Sequence, residues 1–164
     1  MIRVLIVDDS AVLRQSTKFI LERDSALQVI GEASNGAEAV TQVARLRPDV
    51  ITMDIHMPKS DGFEAIREIM AEHPVPIVVV TSIDLEREAS LAIKATKLGA
   101  VAVLKRPGSM SNEEYGAFAS KLIQQVKAMS SVRVVHRPRS LADVTIASTP
   151  GSAKMAGFAS APPL

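Results

Sequence analysis

Six side chains could do chemistry together in this sequence: Asp8, Asp9, Asp54, Thr81, Lys105 and Arg106. Each lies at the end of a short apolar run, the clearest being Val50-Ile51-Thr52-Met53 before Asp54 and Ile77-Val78-Val79-Val80 before Thr81. Clustered carboxylates repel one another and hold each other's pKa values up unless a cation joins them. Oxygen donors, with neither cysteine nor a histidine pair beside them, select Mg2+ or a stand-in such as Mn2+. Such an octahedral ion, with few protein ligands, keeps positions open for phosphate oxygens. A carboxylate beside it can attack a phosphoryl group and become an aspartyl phosphate. A hydroxyl and a cation are then needed for the remaining phosphoryl oxygens, and Thr81 with Arg106 or Lys105 could supply them.

The surrounding elements must bring these groups together. Apolar β-favouring runs without alternation read as strands buried on both faces of a parallel sheet. Five are expected, over residues 2–7, 27–33, 50–54, 76–82 and 100–105. Between and after them the spacing predicts helices over 11–23, 36–47, 61–73, 85–98 and 111–129. Ser10 serves as an N-cap, and Asp61 with Glu64 and Ser111 with Glu114 have capping-box spacing. Pro48 and Pro74 stop two helices, Pro58 turns the chain, and Gly99 supplies a left-handed C-terminal residue. The inward faces are read as Leu13, Thr17, Ile20 and Leu21; then Val40, Val43 and Ala44; then Ile66, Ile69 and Met70. The fourth helix is alanine-rich with a thin apolar stripe. The last has the cleanest one: Tyr115, Phe118, Ala119, Leu122, Ile123 and Val126.

This alternation predicts an α/β fold, a doubly wound, flavodoxin-like five-stranded parallel sheet in the order 2-1-3-4-5 with helices on both faces. Ligands of such sheets bind beyond the carboxyl ends of the strands, where the order reverses. That point lies between the first and third strands, which puts Asp8, Asp9 and Asp54 side by side.

The 164 residues fit one domain over 1–129 and a Ser/Ala/Pro-rich linker or tail over 130–164, which holds four of the nine prolines. A net charge of +1 leaves no footprint for nucleic acid. There is no apolar run of membrane-spanning length and no signal-type start, so a cytoplasmic protein without a membrane partner is expected.

Val7-Asp8-Asp9-Ser10, Met53-Asp54-Ile55-His56-Met57-Pro58 with Asp61-Gly62, Val80-Thr81-Ser82, and Gly99-Ala100 before Arg106-Pro107 occur in this order. Together they resemble the response-regulator receiver domain over about residues 1–129. The resemblance implies that Asp54 is the phosphoacceptor. Asp9 and Asp54 would ligate Mg2+ directly, with the backbone carbonyl of His56 as a third ligand and Asp8 acting mostly through water. It implies a histidine kinase as phosphodonor and an output domain or partner at the surface of the fourth helix and fifth strand. The first and second motifs look most like the chemotaxis methylesterase (CheB-type) group, in which a linker and a serine-hydrolase domain follow. Ile146-Ala147-Ser148-Thr149-Pro150-Gly151 only faintly echoes the nucleophile region of that domain, so Ser148 is read as a linker serine and no esterase activity is expected of these residues.

Two readings of function follow. One is a phosphorylation-dependent response regulator of chemotaxis-type two-component signalling. The alternative is the regulatory N-terminal part of a protein-glutamate methylesterase whose hydrolase domain lies outside this sequence. A flavodoxin-like FMN binder is disfavoured, since Asp8-Asp9 would repel a phosphate that no metal accompanies.

Two positions depart from the receiver pattern. Val103 stands where receivers often carry an aromatic switch residue, which directs the signal to the loop after Thr81 and the fourth helix. Lys105-Arg106-Pro107 replaces Lys-Pro. Counting from Gly99-Ala100, Arg106 occupies the register of the family's lysine. Alternation along a strand turns Lys105 the other way, which leaves it as the second choice. His56 is expected at the rim, His73 and His136 on the surface, and Met53 and Met57 in packing roles.

Overall fold

The computed structural model describes residues 1–58, 60–82, 85–108, 111–136 and 138; the side chains of 60, 61 and 85–88 are outside that description. The expected Asp61 cap, Ser148 and nearly all of the expected tail therefore lie outside the described residues. The chain runs β1 (Ile2–Val7), α1 (Ala11–Leu21), β2 (Leu27–Ala33), α2 (Gly36–Leu46), β3 (Val50–Met53), β4 (His56–Met57), β5 (Ser60–Asp61), α3 (Gly62–Glu72), β6 (Ile77–Thr81), α4 (Leu85–Leu98), β7 (Ala102–Lys105) and α5 (Asn112–Met129).

Five strands form one parallel sheet in the order β2-β1-β3-β6-β7. This is the expected order, with β6 and β7 as its fourth and fifth strands. The turn at Pro58 is more structured than the sequence suggested: β4 and β5 pair antiparallel as a separate short hairpin beyond the end of β3.

Residue parity sorts the core into two layers. Val4, Ile6, Val50, Val78, Val80 and Leu104 pack with Ile20 and Leu21 of α1 and with Phe118, Leu122 and Val126 of α5. Leu5, Val7, Ile51, Met53, Ile77 and Val79 face the opposite layer, where Ala39 and Val43 of α2 meet Ile66, Ile69 and Met70 of α3 and Ala95 of α4. Met53 and Met57 are buried in this second layer, as expected of packing residues.

The caps follow the sequence. Ser10 Oγ accepts from the Leu13 amide, Asn35 from Glu38 and Ser111 from Glu114, satisfying orphan amides of α1, α2 and α5. Gly99 ends α4 at φ 117, a backbone conformation that glycine tolerates without Cβ strain.

Two expectations need correction. Ala44 is exposed, and Ala39 is the buried alanine of α2, because the helix turns its 36/39/43 edge to the sheet. His73 is half-buried rather than fully on the surface, since its amide still donates to the carbonyl of buried Ile69 and so continues the turn of α3. After α5, half-buried Val134 packs against the α2/α3/α4 layer, so the first described residues beyond Met129 lie on the domain surface.

Candidate functional site

The site stands at the carboxyl ends of β1 and β3. Asp8 follows β1, and its backbone amide donates to the Ala33 carbonyl, extending the β1–β2 ladder by a residue. The Asp54 amide donates to the Val7 carbonyl, so this carboxylate is fixed by the β1–β3 ladder and not by a free loop. Gly62 tightens the wall behind it. A Cβ there would lie 2.7 Å from Ile55 Cα and 3.1 Å from the Asp54 carbonyl oxygen, so the start of α3 can approach only without a side chain.

One carboxylate oxygen from each of Asp8, Asp9 and Asp54 lies within 4.8 Å of the others. Asp8 is buried, Asp54 half-buried and Asp9 exposed, so the cluster opens to solvent on one side. Burial raises the Asp54 carboxyl above the ordinary carboxylate range, opposed by the His56 amide, which donates to its Oδ1 at 2.9 Å. Asp8 and Asp9 push it further up, and Arg106 pulls it down. Asp8 is raised for the same first reason, against the Ser10 amide at 2.9 Å and the Arg106 guanidinium. Arg106, with a weaker contribution from Arg14, does not neutralise three carboxylates, and the donor set is all oxygen. That fits a hard divalent ion such as Mg2+, which when bound would offset the repulsion and draw phosphate oxygens in.

Arg106 and Lys105 part company here. Arg106 continues the parity of Leu104 into the α1/α5 layer; it is 7 % exposed, with Nη2 at 3.4 Å from Asp8 Oδ2 and 3.4 Å from Thr17 Oγ1. Lys105 is exposed and lines an open groove with Pro107, Gly108 and Glu114. The Arg106 amide donates to the Thr81 carbonyl at 2.7 Å, which ties the last residue of β6 to the cation. Thr81 itself is buried opposite Lys105 in the β6–β7 register. His56 is exposed at the rim on the β4–β5 hairpin, and His136 is exposed well along the chain.

Sequence reasoning missed several participants. Arg14 Nη1 donates to the Asp8 carbonyl at 2.8 Å, holding the start of α1 to the acidic turn. Thr17, read only as a packing residue, faces Arg106, and the guanidinium carbon lies 5.9 Å from the Phe118 ring centroid. The parity of Leu104 and Arg106 was the available signal for both.

A doubly wound sheet with this acidic cluster at its reversal point defines a receiver-type domain. Residues 4–112 match the response regulator receiver domain family, and the chain belongs to it. Among curated relatives it is 48% identical over 136 residues to protein-glutamate methylesterase/protein-glutamine glutaminase 3 of Hahella chejuensis, covering 83% of this chain and 39% of that protein. It is 46% identical over 137 residues to the corresponding enzyme 1 of Syntrophus aciditrophicus, covering 84% of this chain and 39% of the relative. The chain thus spans about two fifths of the length of these relatives. The crystal structure of the response regulator domain of Thermotoga maritima CheB superposes with a TM-score of 0.74 at 37% identity, covering 81% of this chain and 98% of that one. The domain is therefore a receiver closely related to the N-terminal domains of CheB-type methylesterases. No described helix is long and apolar enough to cross a membrane.

Proposed function

We propose that this receiver accepts a phosphoryl group on Asp54 from the phosphohistidine of a histidine kinase, and that it is the regulatory module of a protein-glutamate methylesterase. The observation that carries the reading is the convergence of Asp8, Asp9 and Asp54 within 4.8 Å at the β1/β3 strand ends. Asp8, Asp9 and Asp54, with the His56 carbonyl, would hold Mg2+, which when bound supplies charge neutralisation for the entering phosphoryl group. An Asp54 carboxylate oxygen forms the new O–P bond as the N–P bond of the donor breaks, and the imidazole leaves with its electron pair. The His56 amide, already donating to Oδ1, keeps the carboxylate oriented for attack. Thr81 and Arg106 receive the remaining phosphoryl oxygens, with Lys105 as the second candidate for the cation.

One fact favours the methylesterase assignment over a free-standing regulator: the named relatives are methylesterase/glutaminases. Output would then pass to a hydrolase partner, at the α4/β7 surface.

The test is intact mass after incubation with a small acyl phosphate and Mg2+. One added phosphate is expected on the parent protein and none on Asp54→Asn; a phosphate that persists on the variant would overturn the assignment. Asp9→Ala is expected to weaken Mg2+ binding at least several-fold while leaving the melting temperature nearly unchanged. Calorimetric titration and thermal melting check the two halves.

A further inference from the structure

The helical threonines of this domain do not all behave alike. Thr41 and Thr96 bond back to their own helices, to the carbonyls of Ala37 at 3.1 Å and Ala92 at 2.8 Å, the usual resolution for a hydroxyl inside a helix. Thr17 instead faces the α1/α5 core at 2 % exposure, and its hydrogen-bond partner among the described residues is Arg106, at 3.4 Å. A hydroxyl in that layer, between Ile20 and the strand residues, is costly unless it is bonded. Thr52 adds a second hydroxyl on the same side. Its Oγ1 is buried without a hydrogen-bond partner among the described residues. Asp8, Thr17, Thr52, Asp54 and Arg106 all line one small void of about 10 Å³ directly beneath the carboxylates.

We propose that Thr17 is a positioning residue for Arg106, holding the guanidinium so that it spans from α1 to the phosphoryl group on Asp54. The proposal rests on the reading of Asp54 as phosphoacceptor. Arg106 Nη2 serves Asp8 and Thr17 together, and a guanidinium has further N–H donors in a rigid fork for a phosphoryl oxygen. An ammonium presents its three donors from a single nitrogen, whereas the guanidinium presents separate nitrogens to Thr17 and to the acceptor across a planar fork. Phe118, under the guanidinium, supplies the apolar floor from α5. The occupancy of Asp54 is in this way coupled to α1 and α5 as well as to α4.

A double-mutant cycle on the full chain tests this, reading the affinity for beryllofluoride, a phosphoryl mimic, in saturating Mg2+ by calorimetry. Thr17→Val should weaken binding about three- to tenfold, the range expected for one hydrogen bond of ordinary net strength, since 3.4 Å is long for a charge-assisted one. Thr17→Ser should restore it, which a purely packing role would not do. In the Arg106→Lys background, Thr17→Val should change the affinity less than about twofold, because the bond is already gone. Thr17→Ala, which also lacks the hydroxyl, replaces Thr17→Val if the latter fails to fold and should give the same pattern. Equal losses in both backgrounds, or no loss beside native Arg106, would overturn the role of Thr17 while leaving Asp54 as acceptor. If the unmodified protein takes up no beryllofluoride, the reading of Asp54 fails first and this inference fails with it.

Discussion

On one side of the sheet, α5 inserts Phe118, Ala119, Leu122 and Val126, and α1 adds Ile20 and Leu21, all buried. On the other side, α4 contributes Ala95 as its one buried side chain among those described, with Leu91 and Leu98 half-buried and Ile93 exposed. Lys94 Nζ of α4 lies 4.0 Å from the Phe63 ring centroid on α3. Both layers touch the same acidic site, yet one is a packed wall and the other a lightly held helix. Elements with few buried apolar contacts open and shift at low free-energy cost. Under the proposed function, this contrast would let one phosphoryl group leave the fold intact and still change a surface, with α1 and α5 holding the cation and α4 answering.

The strongest way to break this comparison is by truncation. Leu122→Ala, at a fully buried position of α5, is expected to cost about 2–5 kcal/mol. Leu98→Ala, half-buried on α4, should cost only about 1 kcal/mol or less. Denaturant melts decide it; equal costs would mean that α4 is as firmly packed as α5.

Next in size is the cation. Arg106→Ala should leave Asp54 open to phosphorylation but largely abolish the amide shifts that beryllofluoride produces across residues 85–98. Lys105→Ala, at an exposed position of β7, should change them little. The reverse result would return the role to Lys105.

A smaller effect comes from the raised carboxyls. Asp8 and Asp54 hold protons more tightly in the folded, metal-free protein than in the unfolded chain. Their contribution therefore favours the fold at low pH and is lost as pH rises from the ordinary carboxylate range through their raised pKa values. Asp54→Asn should raise the metal-free melting temperature at neutral pH by a few degrees and flatten its dependence on pH. Mg2+ should do the same for the parent protein. A lower melting temperature for Asp54→Asn would contradict this sign.

The smallest effect separates the layers again. Asp24, half-buried in the turn after α1, is lowered by its 2.8 Å hydrogen bond to Lys127 of α5 and then by the Ala26 amide. Its stabilising contribution is present above the unfolded-state pKa and is lost as pH falls through the depressed one. Lys127→Gln should move Asp24 back toward its ordinary value in a carboxyl NMR titration and loosen only the α1–α5 side. Glu38, lowered by the Ser34 amide and hydroxyl, belongs to the α2 side and should not respond.

The sheet order and the carboxylate convergence were legible in the sequence because both follow from local patterns. Uninterrupted apolar runs mark buried parallel strands, and such sheets place their sites at strand ends. The Ser111–Glu114 capping box and Gly99 were equally local. What was not legible depends on which way a helix is rolled. Ala44 and Ala39 are both compatible with an apolar face, and only the packing against β1 and β2 chose between them. The same holds for Thr17, whose partner lies 89 residues away on the end of β7. The β4–β5 hairpin was hidden because two-residue strands carry no periodicity.

The measurement that reaches the central claim most directly is localisation of the phosphate. Protein treated with acyl phosphate and Mg2+ is trapped with borohydride, which reduces a phosphoaspartate to homoserine, and digested for peptide sequencing by mass spectrometry. Homoserine should be found at position 54 and at neither position 8 nor position 9. Homoserine at either of those positions, with Asp54 unmodified, would contradict the assignment of acceptor and metal ligands.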